Sequence, residues 1–445
     1  MLLTYIVSLL IIYLPISAPQ NAAVQWWAPL GVLGVFVLNA FACWMGVRSA
    51  RRMGDRKGDG MRVVRIFKML KLGIVGFVFL DVVAFNWPTY VMNLFEGRRG
   101  VPVIPDLLLI LPVLLMIGTL WAFRYRYQRS EQTASGPDGF SMVGYIMFRF
   151  RMELAILIIP WFLLVLGSDV TALIWGNSPQ HVWIDGGVSL GIIILLVTLG
   201  PAALSYIWRT SPLPEGELRE RLETIAHQNN FHCRDILIWH TRKHIPNAAV
   251  IGPLPFMRYV LVTDALWENC TKDEIAGIFA HEVGHVVHHH MRFYFIFAIL
   301  YGVMFVNLSQ GLSLLGWGGP VAGLLSTSGE SLTGIVMLIY TLGYWIFGFG
   351  YVSRRMERQA DLFALGSCEK QDSLIHGLTK LSMLSGRPAE AGSWRHFSIA
   401  RRTQFLRRVI EEPQLGEKTR KTAYVLRMCV GCVFVINVFL AVVFW

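Results

Sequence analysis

The run His281-Glu282-Val283-Gly284-His285 decides the architecture of this chain, because the other segments can be placed around the helix that it predicts. Two histidines four residues apart lie on one face of an α-helix, so both imidazoles can bind one zinc ion while Glu282 points at a metal-bound water. The preceding run Thr271-Lys272-Asp273-Glu274 has the spacing of a capping box. The sequence therefore predicts a helix that carries two ligands of a zinc site.

A third ligand has to come from elsewhere in the chain. A metzincin would have Gly and His at the positions that His288 and Met291 occupy, which argues against that arrangement. Further on, Glu357 and Asp361 lie four residues apart, on one face of a predicted helix. Glu357 can complete a His₂Glu site, and Asp361 can accept a ring N–H from a ligand histidine. A solvated helix face is the alternative, but the pairing with the two-histidine helix favours the ligand interpretation.

The composition is that of a membrane protein. The chain has 445 residues, of which 54% are hydrophobic, and its mean hydropathy is +0.50. Its apolar residues form runs close to the twenty that a bilayer requires. We predict a mainly α-helical, polytopic membrane protein with about nine transmembrane helices, at residues 2–17, 28–47, 72–94, 103–123, 154–175, 187–208, 293–316, 333–353 and 424–445. A signal peptide is the alternative for the first, although no Lys or Arg precedes it.

Basic residues predict the orientation of these helices. The loops after the second and fourth spans are rich in Arg and Lys, whereas residues 18–27, 176–186 and 317–332 contain neither. The positive-inside rule then places the N-terminus and both polar segments, 209–292 and 354–423, in the cytoplasm. Much of the net charge of +11 lies in juxtamembrane loops facing anionic lipid, so it does not indicate nucleic-acid binding.

This topology predicts five segments. They are a six-span membrane domain at 1–208, a catalytic segment at 209–292, a transmembrane hairpin at 293–353, a second catalytic segment at 354–423 and a final span at 424–445. The hairpin returns the chain to its starting side, so Glu357 and the two histidines lie at the same membrane face. Helical rise places the metal within about 10 Å of the cytoplasmic bilayer surface.

The first polar segment has the pattern of a small α/β unit with a short sheet. An amphipathic helix is predicted at 214–228, and strands at 235–240, 248–251 and 258–263. Pro253 and Pro255 follow the middle strand, which favours a position at the edge of the sheet. Such an edge can pair with an extended peptide and present its backbone to the metal.

Three motifs together resemble a known family. Asn247-Ala248, the H-E-x-x-H run and Glu357-Arg-Gln-Ala-Asp361, in this order and with a hairpin between the last two, are similar to the M48 zinc metallopeptidases of the HtpX and CAAX prenyl endopeptidase types. The resemblance implies that His281, His285 and Glu357 are zinc ligands and that Glu282 is the general base. It also implies that Asn247 steadies the substrate or the oxyanion, and that a later histidine stabilises the tetrahedral intermediate. That histidine is expected to be His396, with His376 as the alternative, although Phe397 replaces the usual proline.

The predicted function is therefore that of an integral-membrane endopeptidase with one Zn²⁺ per chain. It would hydrolyse peptide bonds of membrane or membrane-proximal proteins through a zinc-activated water, from which Glu282 takes the proton. By similarity to HtpX, the location is expected to be the bacterial inner membrane, with the site on the cytoplasmic side. The alternatives are a membrane sensor with a signalling zinc-peptidase domain and a non-catalytic transporter or scaffold.

Several polar residues in or beside the spans leave alternatives open. Asp81, Asn307 and Gln310 lie within predicted spans and could line a chamber for membrane-associated substrates, or pack within an ordinary bundle. The run His288-His289-His290 can be a helix end facing water or lipid headgroups, or it can provide partners of the ligands.

Overall fold

The computed structural model of the chain describes most of the sequence. These residues are 2–12, 26–53, 59–95, 103–131, 141–176, 178–243, 245–314, 336–337, 339–386, 388–393 and 395–444. The predicted spans at 2–17 and 333–353 and the loops at 18–27 and 317–332 lie partly or wholly outside them.

The chain divides into two compact units, Met1–Trp208 and Arg209–Trp445. The helices of the first unit are α1 (Leu2–Ile12), α2 (Ala28–Met53), α3 (Asp59–Val83), α4 (Trp87–Leu94), α5 (Ile104–Glu131), α6 (Met142–Glu153), α7 (Ala155–Trp175) and α8 (His181–Ile207). Its core lies among α1, α2, α3 and α5, where Ile74, Met116 and Ile117 are fully buried.

The second unit combines a sheet with helices. Its elements are β1 (Thr210–Pro212), α9 (Glu217–Gln228), β2 (Asp235–Trp239), β3 (Ala248–Ile251), a 3₁₀ turn (Pro255–Met257), β4 (Tyr259–Thr263), α10 (Asp264–Asn269), α11 (Lys272–Val287), α12 (His290–Leu314), a π-helix (Gly343–Phe349), α13 (Gly350–Ser367), α14 (Ser373–Ser385), α15 (Ile399–Glu411) and α16 (Pro413–Phe444).

Six helical segments of the described residues are long and apolar enough to cross a membrane. They are Ala28–Arg52, Ile104–Arg129, Met142–Trp175, His181–Ile207, His290–Leu314 and Pro413–Val443. Each overlaps a predicted span, so the helical membrane architecture agrees with the sequence analysis. The full number of nine stays a prediction.

The predicted span at 72–94 is not one continuous helix. α3 ends at Val83 and α4 begins at Trp87, and between them Asn86 adopts a left-handed conformation with φ 49°. Asparagine tolerates this conformation better than most residues. Pro88, in the first turn of α4, has no N–H with which to continue the hydrogen bonds of α3. These two residues explain the break.

The sheet has the strand order β1-β2-β4-β3. β2 and β4 are parallel, and β1 and β3 pair antiparallel on the outside. The three predicted strands lie where expected, and β3 lies at an edge, as the two prolines indicated. β1 was missed because its three residues, Thr210–Pro212, are too few to show an alternating pattern.

The helix α11 lies in the core of the second unit. Its predicted capping box is present, with the Thr271 hydroxyl accepting from the Glu274 N–H and the Glu274 carboxylate accepting from the Thr271 N–H. α11 approaches α14 so closely that a Cβ on Gly277 would lie 2.5 Å from the backbone nitrogen of Leu374. Glycine is therefore required there, because it allows the backbones of α11 and α14 to pack together.

The polar residues singled out in the spans have different surroundings. Asn307 on α12 donates to the backbone and side-chain oxygens of Asn437 on α16, at 2.9 and 3.2 Å. Asp81 on α3 is buried, and neither carboxylate oxygen has a hydrogen-bond partner among the described residues. Gln310 is half-buried. Asn307 thus joins two helices, and the chamber stays a prediction.

Candidate active site

α11 and α13 bring two histidines and a glutamate together. His281 Nε2 lies 3.3 Å from His285 Nε2, and the Glu357 carboxylate lies 3.9 Å from the first nitrogen and 3.5 Å from the second. One ligand atom from each residue falls within 4.8 Å of the others. Glu357, from a distant part of the sequence, therefore joins the two histidines of α11 at one point.

The donor set fits a divalent zinc ion. Two imidazole nitrogens and one carboxylate oxygen form the ligand combination of catalytic zinc sites that keep an open position. Glu357 is 4% exposed and His281 is 6% exposed. A buried carboxylate is unfavourable unless a positive charge compensates it, so a bound cation suits this position. Burial also lowers the pKa of His285 to about 3, which leaves its imidazole neutral and able to bind a metal.

Asp361 orients His281. The His281 Nδ1–H donates to Asp361 Oδ1 at 3.0 Å, so His281 Nε2 keeps its lone pair for the cluster. Asp361 is fully buried and also accepts from Arg402, at 2.5 Å from Nη2 and 3.1 Å from Nε. The role of Asp361 as an acceptor for a ligand histidine stays a prediction, which this geometry supports.

Arg402 and His396 supply positive charge and hydrogen bonds to the carboxylates. Arg402 Nη1 lies 3.8 Å from Glu357 Oε2, and His396 Nδ1 donates to Glu357 Oε1 at 3.0 Å. Burial by itself would raise the pKa of Glu357, but the bond from His396 and the charge of Arg402 hold it well below its usual range. The pKa of Asp361 is lowered too, because Arg402 and His281 outweigh the effect of burial. Both carboxyl groups are therefore ionised at neutral pH.

The pKa of Glu282 is shifted in the opposite direction from the pKa values of Glu357 and Asp361. Burial raises the pKa of Glu282 to about 7, and the charge of Glu357 acts in the same direction, against the effects of His281 and Arg402. A carboxyl group whose pKa lies near neutrality can both accept and return a proton. Such a pKa suits the acid–base role that the motif predicts for Glu282, and the role itself stays a prediction.

Residues 212–414 match Peptidase family M48. We call residues 212–414 the M48 segment, after the family that they match.

Relatives of the M48 segment come from plants and bacteria. A CAAX prenyl protease 1 homolog of Arabidopsis thaliana is 30% identical over 189 residues, which cover 39% of this chain and 42% of that protein. A protease HtpX homolog of Syntrophobacter fumaroxidans is 29% identical over 241 residues, which cover 50% of this chain and 81% of that protein. The chain thus spans about two fifths of the length of the Arabidopsis relative.

The crystal structure of S. mikatae Ste24p is also similar, with a TM-score of 0.48 and 16% sequence identity, over 86% of this chain and 99% of that chain. The M48 segment contains the three clustered residues. The six long apolar helices of the described residues indicate an integral membrane protein.

The M48 segment brings some expected residues to the cluster and leaves others apart. His396 contacts Glu357 while its side chain remains 48% exposed. His376 instead pairs with Asp372, both on the exposed surface. Asn247 immediately precedes β3 and has an exposed side chain; its backbone N–H donates to the Thr263 hydroxyl. In the described residues, Asn247 has no hydrogen bond to the clustered side chains.

Phe397, the residue after His396, is held by cation–π contacts. The guanidinium of Arg358 lies 4.7 Å from the centroid of its ring, and that of Arg354 lies 5.9 Å from it. Both arginines project from α13, which also carries Glu357. These contacts hold the residue next to His396 against α13.

Sequence analysis missed Arg402 in the M48 segment. Its side chain is only 12% exposed. The sequence does contain a signal, because Arg402 precedes Phe405 and Leu406 by three and four residues on α15, and both are buried. An arginine on the apolar face of an amphipathic helix indicates a buried acidic partner.

Proposed function

We propose that the chain is an integral-membrane, zinc-dependent endopeptidase that cleaves membrane or membrane-proximal proteins. The observation that carries the proposal is the convergence of His281, His285 and Glu357, with Glu282 beside them and its pKa near neutrality. The match of the segment 212–414 to family M48 supports the same reaction class.

The residues have distinct roles in this proposal. His281, His285 and Glu357 hold the metal. Bound zinc supplies a Lewis acid that lowers the pKa of water and polarises a carbonyl group. Glu282 accepts the proton of the attacking water and returns it to the leaving amine, so one carboxyl group acts first as base and then as acid. Asp361 and Arg402 keep His281 and Glu357 in place through buried hydrogen bonds and charge.

His396 and Asn247 are the proposed contacts to the reacting carbonyl. The half-exposed ring of His396 beside Glu357 can reach a substrate in the cleft, and one preorganised donor to an oxyanion contributes about 3 kcal/mol. Asn247 lies at the start of β3 with its side chain exposed, where it can bind the substrate backbone.

The edge strand β3 is the proposed site of substrate binding. β3 pairs with β4 on one side and lies at the end of the sheet. Its residues Ala249, Val250 and Ile251 are half-buried, so an extended peptide can add as a further strand. Main-chain hydrogen bonds of this kind accept many sequences, which suits an endopeptidase of broad selectivity.

The membrane-proximal position of the site favours substrates in or near the bilayer. His285 lies five residues before His290, where the candidate span of α12 begins. We place the site on the cytoplasmic side because the loops after the second and fourth predicted spans are strongly basic. The bacterial HtpX relative supports the bacterial inner membrane as the location.

The test compares wild type with Glu282→Gln, in purified chain, by metal analysis and by cleavage of a membrane-protein substrate. We expect both proteins to hold one zinc per chain and only wild type to cleave. The matched control is Glu220→Gln, which neutralises an exposed glutamate on α9 and should leave both properties unchanged. Stoichiometric metal without cleavage by wild type on any membrane substrate would favour the sensor, and a chain without metal would favour the transporter or scaffold.

A further inference from the structure

His285 has a buried partner on the side away from the cluster. His290, at the start of α12, is 0% exposed, and its Nδ1 lies 2.8 Å from Nδ1 of His285. The other ring nitrogen of His290, Nε2, lies 3.2 Å from Gln359 Oε1, on α13. Arg427, on α16, donates from Nη2 to the same Gln359 oxygen at 2.8 Å. Four side chains therefore form a continuous line of hydrogen bonds that ends at a clustered histidine.

We infer that Arg427, Gln359 and His290 form a one-directional hydrogen-bond chain that places the proton of His285 on Nδ1 and so keeps Nε2 free as a metal ligand. This inference rests on the proposed function, since it assigns positioning residues to the same metal site. It adds the C-terminal helix α16 to the groups that determine the site.

The direction of donation along these hydrogen bonds follows from which groups can act as donors. Arginine has only donors, so the Gln359 amide atom that faces Arg427 must be the oxygen. An oxygen can only accept, so His290 Nε2 must carry a proton. In a neutral imidazole the remaining nitrogen, Nδ1, is then an acceptor. The facing Nδ1 of His285 must therefore carry the proton of that hydrogen bond.

Donation in the opposite direction, from His290 to His285, would prevent His285 from binding the metal. If Gln359 did not fix His290, the proton between the two rings could belong to His290 Nδ1. His285 would then carry its own proton on Nε2, which faces His281 Nε2 at 3.3 Å and has to bind the metal through a lone pair. A neutral imidazole such as His290 could donate to His285 or accept from it. A group that can only donate, at the far end of the hydrogen-bond chain, is therefore needed to fix the direction of donation.

The two histidine ligands are thus held by different means. His281 donates to the carboxylate of Asp361, which can only accept when ionised, so its tautomer needs no further partner. His285 donates to a ring that must itself be oriented, and the orienting groups come from α13 and α16. This difference predicts that the metal affinity depends on residues as far from the cluster as Arg427.

The experiment measures zinc affinity of the purified full chain in detergent, by competition with a chromophoric chelator. Gln359→Leu and His290→Phe should weaken zinc binding about 10–100-fold, and Arg427→Met about 10-fold, because loss of a partner behind a ligand histidine has effects of this size. Gln359→Glu keeps an acceptor for both His290 and Arg427, so its affinity should stay close to wild type.

A matched control shows whether weaker zinc binding comes from a changed direction of proton donation or from altered packing of α16 against α12. Asn437→Leu removes the side-chain hydrogen bond between α16 and Asn307 on α12 and leaves the hydrogen-bond chain from Arg427 to His285 intact, so its zinc affinity should equal wild type. The thermal midpoint of each metal-free variant shows whether it is folded.

Three outcomes would overturn the inference: Gln359→Leu with wild-type affinity, Gln359→Glu as weak as Gln359→Leu, or Asn437→Leu weakened as much as Arg427→Met. A folded wild type that binds no zinc would overturn the proposed function as well. Normal wild-type binding with unaffected variants would overturn the inference alone.

Discussion

Arg402 offers the sharpest test of how the site is built. Its guanidinium makes two hydrogen bonds to Asp361, at 2.5 and 3.1 Å, and Asp361 is fully buried. Arg402→Met keeps the apolar stem and removes the charge, which leaves Asp361 ionised and paired only with His281. Breaking one side of a buried ion pair costs about 3–5 kcal/mol. Because the His281 N–H remains, we expect a loss at the lower end, about 3 kcal/mol.

The assay is thermal unfolding of the metal-free chain in detergent at neutral pH, so that a bound cation does not compensate the lost charge. For a unit of the size of Arg209–Trp445, about 3 kcal/mol corresponds to a fall of about 6–12 °C in the midpoint. Arg401→Met, which removes an exposed arginine from the same helix, should change the midpoint little.

A double-mutant cycle identifies the cause. Asp361→Asn removes the buried charge that Arg402 neutralises, so Arg402→Met should cost far less in that background, with a coupling of about 2–3 kcal/mol. A fall in the midpoint that is equally large with and without Asp361→Asn would refute the charge argument. So would an Arg402→Met variant as stable as Arg401→Met.

Three further predictions concern the catalytic helix. The pKa of Glu282 is raised to about 7 and its carboxylate is the proposed base, so kcat/KM should fall about tenfold per pH unit on the acid side of the pH profile. A bound cation would move this acid-side fall to lower pH. A flat profile down to about pH 5 would contradict the role of Glu282 as the base. Gly277→Ala should destabilise the chain by about 1–3 kcal/mol in the same thermal assay, because the added Cβ would meet the backbone of Leu374. The control Gly366→Ala, where the added Cβ has open space around it, should be neutral or stabilising. Thr271→Ala removes the helix cap and should lower the unfolding free energy by about 1 kcal/mol, with Thr271→Ser close to wild type and zinc affinity unchanged in both.

The local features of the site could be predicted because they depend on neighbours in sequence. The capping box, the helix with His281 and His285, and the strands at Asp235–Trp239 and Tyr259–Thr263 all follow from short-range patterns. Glu357 was predicted by a different argument, in which the two spans expected between the motifs form a hairpin that returns the chain to its starting side. That argument needs only the number of spans between the motifs.

Other features had no local signal strong enough to be predicted. The break between α3 and α4 lies inside an apolar run, and periodicity alone does not show that Asn86 takes a left-handed conformation. The partner of the buried Arg402 comes from α13, and the partners of His290 come from α13 and α16. Which side chains meet across helices depends on packing, which the spacing within one helix does not determine.

The sequence by itself determined which chemical groups are available and on which helix faces they lie, because helical and strand periodicities are set by the backbone. The tertiary structure alone decided the distances among His281, His285 and Glu357, the placement of Arg402 against Asp361, and the line of hydrogen bonds from Arg427 to His285. The physical reason is that a ligand's tautomer and a buried carboxylate's charge depend on donors and acceptors within about 3 Å, and such contacts join residues that are remote in the chain.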